Sequence, residues 1–591
     1  MGFRYRRIVT GALCAAVVGT ASHARAAGIV AGDRACVGWS HAAPFASAGR
    51  IDVDGLRGRF VARIDPRSGR QMLRWSVLGL QWSSGIDRAG GWSANPSGTA
   101  HRLDAEHALR VAATDAWLER RGWCEPNGLA GATLRRRVQH GTASIVVHAV
   151  PRAGVPVELW LDPSTGLPQR SIVRLNEDTR VVHYADWREV DGVAFPFVRR
   201  IVYPESDDVG MLQVDRVVPV AATNGAFGPP RMRDAVGMPR TARSVTVPIR
   251  FEAHKILVDV LVDGHGPFPF VFDTGGHLIV TADTARRARL HVLGRAFARV
   301  HELRIGGVVI RDDVAHVARY AYARTERGPL PAKAGWLGLE LLTRFAAVID
   351  PDRHTLMLTP LPAHATRYAG VRIALAFDED APLVRCRIDG VAGDCMVDTG
   401  NAGSTIVEGR WAHATGVGLR FAHGLDAGDG VHIARGSVDL GGVRLSHEVL
   451  AAYPAATRGS ESTTVEAAIL SETLHERYVT SIDYRQRAMW LAPAAHRAPP
   501  AFNRTGMQLR RRPDGAFDVA FVYARSPAAA AGIAPGDRVV AIDGAPSATI
   551  APQALVAGTT APVGTIRSYR VVDGRTHRAR SVRVRLAELL P

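Results

Sequence analysis

The sequence contains an internal repeat, and this repeat constrains the fold more than any other feature. Residues 266–275 and 393–400 each form an apolar strand pattern that ends in Asp-Thr-Gly, at Asp273 and Asp398. Further on, residues 336–358 match residues 469–491 without a gap. Self-similarity of this kind indicates two copies of one folding unit, each of roughly 120 residues.

The duplicated Asp-Thr-Gly pattern resembles the retropepsin-like aspartic peptidases. In such enzymes two facing carboxylates hold one water molecule and share one proton, so that one acts as general base and the other as general acid. The resemblance implies that Asp273 and Asp398 form this catalytic pair. It assigns the bracing of the pair and the shaping of its turns to Thr274, Thr399, Gly275 and Gly400.

The two copies differ in ways that bear on activity. The family's apolar-apolar-Gly segment is present at residues 336–338, but Ser471 replaces the glycine at residues 469–471. The second copy is also ten residues longer between its aspartate and its paired glycines (273 to 306, against 398 to 441). We therefore expect one covering flap, at residues 421–433, while the counterpart at residues 293–298 is too short to reach. A single flap suits an asymmetric cleft within one chain and therefore favours a monomer. The alternative interpretation of the short first flap is that the enzyme has lost its activity.

The C-terminal residues 503–591 resemble a PDZ domain, most specifically at residues 526–544. That fold binds the C-terminus of a peptide by strand addition and by backbone amides that hold its carboxylate. The resemblance places this loop at Gly506, Met507 and Leu509. The alternative is a module that serves only for packing within the chain.

The N-terminal part is rich in short alternating runs, which predict an antiparallel sheet, and one helix is expected over residues 104–121 with Leu109 on its apolar face. Residues 85–92, 162–167 and 191–196 resemble the curved sheets of bacterial lipoprotein carriers. The expected fold class is mainly β: an antiparallel curved-sheet N-terminal domain, two tandem retropepsin-like β-barrel lobes and a PDZ-like domain. The expected boundaries are 1–26 for a signal peptide, 27–228, 240–362, 368–496 and 503–591.

The N-terminus has the pattern of an export signal, with arginines, then an apolar stretch, then a small-residue site for cleavage after Ala26. We therefore expect a periplasmic or secreted protein with no transmembrane segment in the mature chain. The net charge of +17 comes from arginines scattered among acids, a pattern that does not indicate nucleic-acid binding.

Export leaves four cysteines, which suggest two disulfides. A two-residue turn at residues 390–391 would place Cys386 and Cys395 directly opposite each other on a hairpin. Cys36 and Cys124 would form the second pair, and free buried thiols are the alternative.

No metal or organic cofactor is expected, because the histidines form no His-Glu-x-x-His array and the cysteines lack zinc-ribbon spacing. The predicted function is an exported aspartic endopeptidase that cleaves protein or peptide substrates. One alternative is an envelope protein that binds a peptide or lipid and has an inactive peptidase pair. Another alternative is a peptidase that works as a dimer, in which the same lobe from each of two chains pairs to form the catalytic site.

Overall fold

The computed structural model describes residues 34–590 with short gaps. The gaps are residues 140, 177, 222–224, 233–235, 240, 295, 319–332, 362–366, 458–462, 496–497 and 513. The predicted signal peptide lies outside the described residues. The chain divides into two compact units: residues up to 233 together with Ala376–Glu379, and residues 234–375 together with 380–591.

The first unit is built on one antiparallel sheet. Among the described residues, thirteen strands pair in the order β6-β5-β4-β3-β2-β1-β13-β12-β11-β10-β9-β8-β7. The strands are β1 (Phe45–Val53), β2 (Leu56–Ile64), β3 (Gln71–Val77), β4 (Leu80–Asp87), β5 (Gly90–Ala94), β6 (Ala100–Leu103), β7 (Thr133–Gln139), β8 (Thr142–Ala149), β9 (Val157–Leu161), β10 (Pro168–Arg174), β11 (Thr179–Val190), β12 (Val193–Tyr203) and β13 (Asp208–Pro219).

The predicted helix of this unit is confirmed as α1 (Glu106–Glu119). Its buried face carries Ala108, Ala112 and Trp117, and the Trp117 ring packs edge-on against Trp123. The expected place of Leu109 on the apolar face is wrong, since this side chain is 41% exposed. The helix is rotated because Trp117, the largest apolar side chain available, takes the position facing the sheet core.

In the second unit, the first copy of the repeat supplies most of a fourteen-stranded sheet. Its elements are β14 (Val236–Gly237), β15 (Val245–Phe251), β16 (Ile256–Val262), β17 (His265–Phe272), β18 (Ile279–Thr281), α2 (Ala282–Arg287), β19 (His291–Leu293), β20 (Phe297–Ile305), β21 (Val308–Ala318), β22 (Gly335–Leu337), α3 (Leu339–Leu342), β23 (Phe345–Asp350) and β24 (Thr355–Pro360).

The second copy follows the same order of elements. They are preceded by β25 (Val371–Ala374) and by β26 (Ala376–Asp378), which belongs to the first unit. They comprise β27 (Ala381–Ile388), β28 (Val391–Val397), β29 (Thr405–Val407), α4 (Gly409–Thr415), β30 (Leu425–Asp426), β31 (His432–Leu440), β32 (Val443–Ala452), β33 (Glu466–Leu470), β34 (Tyr478–Asp483) and β35 (Ala488–Pro493).

The two copies join through strands that are equivalent in the repeat. Strand β23 pairs antiparallel with β34, and Val348 lies opposite Ser481. These two residues are separated by the same 133 positions as the repeat itself. Equivalent residues of two copies lie opposite each other in an antiparallel strand pair only if a local twofold axis relates the copies. The duplication therefore folds back on itself about a pseudo-twofold axis.

The C-terminal sheet has the order β36-β37-β38-β40-β41, with β39 on β38, so β36 lies at its edge among the described residues. Its elements are β36 (Met507–Arg511), β37 (Phe517–Val522), α5 (Pro527–Ala530), β38 (Arg538–Ile542), β39 (Ala545–Pro546), α6 (Pro552–Thr559), β40 (Ile566–Val572) and β41 (Ala579–Arg585). Short 3-10 helices occur at Trp39–His41, Gly122–Cys124, Val417–Phe421, Glu472–Leu474 and Ser547–Thr549.

The fold class is confirmed as mainly β, with a curved antiparallel sheet, barrel-like sheets and a C-terminal β module. No helix among the described residues is both long enough and apolar enough to cross a bilayer.

Candidate active site

Both aspartates lie directly after a buried strand, at corresponding places in the two copies. Asp273 follows β17, which pairs in parallel with β22, and Asp398 follows β28, which pairs in parallel with β33. The backbone N–H of Asp273 donates to the Leu337 carbonyl at 2.9 Å. The parallel neighbour therefore fixes where the Asp-Thr-Gly turn begins.

The carboxyl group of each aspartate lies against the Asp-Thr-Gly turn of the other copy. Each aspartate accepts from the glycine N–H of its own tripeptide, at 3.0 Å for Asp273 and Gly275 and at 2.7 Å for Asp398 and Gly400. A methyl group on Gly400 would lie 2.6 Å from Cγ of Asp273, and one on Gly275 would lie 2.8 Å from Cγ of Asp398. Only glycine leaves room for this approach. The structure thus brings together the two aspartates that the sequence singles out.

Two buried threonines connect the copies by a reciprocal set of hydrogen bonds. The N–H of Thr274 donates to Oγ1 of Thr399 at 2.9 Å, and the N–H of Thr399 donates to Oγ1 of Thr274 at 3.0 Å. Each hydroxyl then donates across the axis, Thr274 to the Val397 carbonyl at 2.6 Å and Thr399 to the Phe272 carbonyl at 2.7 Å. These bonds hold the two Asp-Thr-Gly turns in one relative position.

The protonation of the pair follows from this packing. Burial raises the pKa of Asp398 to about 7, the negative charge of Asp273 contributes to the increase, and the Lys255 ammonium opposes it. A carboxylic acid and a carboxylate so close to each other can share a proton and bind a water molecule between them. Such an arrangement is suited to general acid–base hydrolysis.

Charged groups beside the pair are not evident from the sequence motif. The Lys255 ammonium donates to the carbonyl of Gly400, at the end of the second tripeptide. On the other side, Nε2 of His277 lies 2.8 Å from Oδ2 of Asp380. Although burial opposes its charge, the carboxylates of Asp380 and Glu340 raise the pKa of His277 well above its ordinary value. The two carboxylates thus favour the protonated form of His277.

The substitution of serine for glycine in the second copy has a local explanation. A side chain at Gly338 would lie 2.0 Å from the Asp273 carbonyl oxygen, so the first copy has no room for one. In the second copy the Ser471 hydroxyl donates to the Gly403 carbonyl at 2.8 Å and accepts from the Thr473 N–H at 3.2 Å. The serine thus caps the 3-10 helix Glu472–Leu474.

The segment predicted as a flap includes a short hairpin that packs on the C-terminal module. Strands β30 and β31 pair Leu425 with Ile433. Ile433 shares an apolar cluster with Tyr523 of the C-terminal module, and a methyl group on Gly428 would lie 3.1 Å from the Phe521 ring. In the first copy, β19 and β20 pair His291 with Arg299 and Leu293 with Phe297. That the hairpin of the second copy alone acts as a flap stays a prediction.

The predicted peptide-binding loop of the C-terminal module is already hydrogen-bonded internally. The N–H groups of Thr505 and Gly506 donate to Oδ1 of Asn503, at 2.9 and 3.2 Å. The side chains of Met507 and Leu509 lie in the core of the module, 1% and 3% exposed. These residues can therefore contact a peptide through their backbone, and the binding role stays a prediction.

The structure joins the four cysteines in two disulfides. Cys36 and Cys124 have Cα atoms 5.5 Å apart, and those of Cys386 and Cys395 are 5.8 Å apart. The predicted hairpin register is wrong by one residue in the turn: Ile388 lies opposite Val391, so Cys386 lies opposite Gly393 rather than Cys395. The turn falls at residues 389–390 because both have positive φ, the conformation of the two-residue hairpin turn that Asp-Gly favours. The disulfide is therefore diagonal.

The first unit contains a cavity of about 400 Å³. Its lining is mainly apolar and includes Phe60, Met72 and Trp92. Two ion pairs also line it: Arg180 with Asp115, and Arg199 with Glu119, the latter at 2.7 Å. The cavity could take an apolar or amphipathic ligand.

Comparison with known proteins identifies one module by sequence. The PDZ domain family matches residues 519–562, so the chain carries a PDZ domain at its C-terminal end. No curated protein matches the chain.

Solved structures give partial matches. A LolA superfamily protein from Nitrosomonas europaea is 14% identical, with 34% of this chain and 96% of that chain covered and a TM-score of 0.24. A DUF1329 family protein from Desulfovibrio piger is 12% identical, with 32% and 89% covered and a TM-score of 0.23. A retropepsin-like aspartic protease from Rickettsia conorii is 19% identical, with 21% and 90% covered and a TM-score of 0.15. Similarity at this level supports no assignment of function.

Proposed function

We propose that this protein is an exported aspartic endopeptidase with one intramolecular active site, formed by Asp273 and Asp398. The observation that carries the proposal is the approach of each carboxyl group to the glycine of the opposite tripeptide. The reciprocal bonds of Thr274 and Thr399 hold that approach in place. The N-terminal signal pattern supports export to the periplasm or the medium.

The proposed reaction is direct attack of water on a peptide carbonyl. Asp398 carries the shared proton, in keeping with its raised pKa of about 7, and Asp273 is the carboxylate. Asp273 takes a proton from the bound water as the water oxygen bonds to the carbonyl carbon, and Asp398 gives its proton to the carbonyl oxygen. Asp273 then gives its proton to the amide nitrogen, the C–N bond breaks, and one hydroxyl on the former carbonyl carbon returns its proton to Asp398, which releases an amine and a carboxylic acid.

The PDZ domain is proposed to bind a peptide C-terminus. The strand β36 lies at the edge of its sheet, where an extended peptide can add as a further strand. For the N–H groups of Thr505 and Gly506 to hold a carboxylate, the side chain of Asn503 must first give way. Packing of the module against residues of the second copy is the competing role.

A second candidate function is that of an envelope protein that binds a ligand without cleaving it. The cavity of about 400 Å³ in the first unit favours this candidate, because it is large enough for part of an apolar chain. In that case the paired aspartates would be structural.

The two candidates differ in what Asp398→Asn does to cleavage of a denatured protein substrate. As a peptidase, the wild-type chain cleaves the substrate at mildly acidic pH, and the variant loses at least 1,000-fold in rate, roughly the cost of removing one member of a catalytic pair. Asp439→Asn is the matched control, because Asp439 lies on β31 of the same copy and outside the pair. Cleavage that is absent from the wild type between pH 3 and 8, with the fold intact by circular dichroism, would favour the binding protein.

A further inference from the structure

A second group of possible ligand atoms lies close to the proposed active site but is not part of it. His254 lies in the turn between β15 and β16 of the first copy, and Glu472 and Glu476 follow β33 in the second copy. One ligand atom from each of these three side chains lies within 4.8 Å of the other two. Nδ1 of His254 is 3.1 Å from Oε1 of Glu476.

Glu472 is the residue that calls for an explanation. Its side chain is fully buried, and neither of its carboxylate oxygens accepts a hydrogen bond from an N–H or hydroxyl donor of the described residues; its near neighbour is a second acid, Glu476. A buried carboxylate without a partner costs several kcal/mol, so such a group binds either a proton or a cation. The carboxylate belongs to the group that His254 and Glu476 complete.

The protein's own cations do not fill this role. Lys255 and Arg477 both act electrostatically on Glu472. The Lys255 ammonium, however, donates to the Gly400 carbonyl, and Arg477 forms a buried ion pair with Glu448 at 2.8 Å. Both cations are thus engaged elsewhere, and the carboxylates of Glu472 and Glu476 face the His254 imidazole.

We propose that His254, Glu472 and Glu476 bind one divalent transition-metal ion, with zinc the best match. One imidazole nitrogen and two carboxylate oxygens are a donor set that zinc accepts, with a fourth position left for water. Two ligand atoms at about 2.0–2.2 Å from zinc lie roughly 3–3.5 Å apart, and the His254–Glu476 distance fits this range. The ion would join the two copies of the repeat beside the Gly400 turn.

This proposal differs from the sequence-based expectation of no metal. That expectation relied on local motifs, whereas His254 and Glu472 are 218 residues apart in the chain. The proposal does not depend on peptidase activity, since a chain without catalysis could bind the same ion.

The test is a zinc titration of the chelator-treated full chain, in competition with a chromophoric chelator. We expect one zinc ion per chain to bind with high affinity, and a dissociation constant at least tenfold higher in Glu472→Gln and in His254→Ala. Cobalt bound in place of zinc should give the visible absorption of a four-coordinate site, and both variants should lose it. His291→Ala, which removes an exposed histidine of the first copy, is the control and should bind as the wild type does.

Two results would overturn the proposal. If wild type and Glu472→Gln bind zinc equally well, the ion occupies surface histidines. If the wild type binds no zinc, Glu472 and Glu476 share a proton instead. Should Glu472→Gln fail to fold, His254→Ala still decides, because His254 is in a partly exposed turn.

Discussion

Lys255 and Asp380 occupy the same position in the two copies, each 18 residues ahead of its aspartate (255 to 273, and 380 to 398). Both reach across to the opposite copy: the Lys255 ammonium bonds to the Gly400 carbonyl, and the Asp380 carboxylate bonds to His277. Equivalent positions thus carry opposite charges. This difference breaks the electrostatic symmetry of an otherwise reciprocal site and gives the two catalytic candidates different surroundings.

The first prediction concerns pH. Because Asp398 must keep its proton to act as the acid, kcat/KM should fall as pH rises through about 7, the pKa of this group. Lys255 lowers that pKa, so Lys255→Met should move the alkaline limb of the profile to higher pH. Lys255→Arg keeps the charge and should leave the limb in place. An unchanged limb in Lys255→Met would contradict the assignment of the proton to Asp398.

The second prediction concerns the threonine bonds. Thr274→Val removes the acceptor of the buried Thr399 N–H and the donor to the Val397 carbonyl. Either Thr274→Val or Thr399→Val should lower the free energy of unfolding by about 1–3 kcal/mol, the usual cost of leaving a buried polar group unpaired. Urea unfolding measures this change. The Thr274→Ser and Thr399→Ser variants keep the hydroxyl, so their free energy of unfolding should fall by less. Valine variants as stable as the serine variants would argue against the bracing role.

The third prediction uses the close approach at Gly400. In Gly400→Ala the new methyl would lie 2.6 Å from Cγ of Asp273, so the carboxyl group must move. A displacement of about 1 Å should lower kcat by roughly 100-fold. Gly418→Ala is the control, because its methyl would meet only ordinary contacts, the nearest at 3.4 Å. Equal activity of the two variants would show that Asp273 is not held where the reaction needs it.

The fourth prediction concerns the hairpin of β30 and β31. Phe521→Ala removes an apolar contact next to Gly428, so the amides of residues 425–433 should exchange hydrogen faster. Mass spectrometry of peptic fragments can measure this exchange. Val563→Ala, at a site 59% exposed, should have no such effect. Unchanged exchange in Phe521→Ala would mean that the PDZ domain does not restrain the hairpin.

The sequence predicted what local patterns encode. The repeated strand and Asp-Thr-Gly turn indicated the fold class and the pairing of Asp273 with Asp398. This was possible because the same sequence pattern folds in the same way in both copies. The sequence could not predict that Lys255 contacts Gly400 or that Asp380 contacts His277, since those contacts cross between copies and carry no local signal.

Two wrong predictions from the sequence, on the hairpin turn of residues 386–395 and on Leu109, arose because other residues decide the local structure. The hairpin turn shifted because the φ preference of Asp-Gly outweighs the symmetric placement of Cys386 and Cys395. Leu109 lies outside the core because Trp117 competes for the same face of α1.

We propose a single active site to which one chain contributes both aspartates. The most direct test of this proposal is the hydrolysis rate of Asp273→Asn alone, of Asp398→Asn alone, and of an equimolar mixture of the two. If one chain supplies both aspartates, all three samples are inactive on a substrate that the wild type cleaves. Activity in Asp273→Asn alone, or activity restored on mixing, would contradict it, because the catalytic pair would then form between chains.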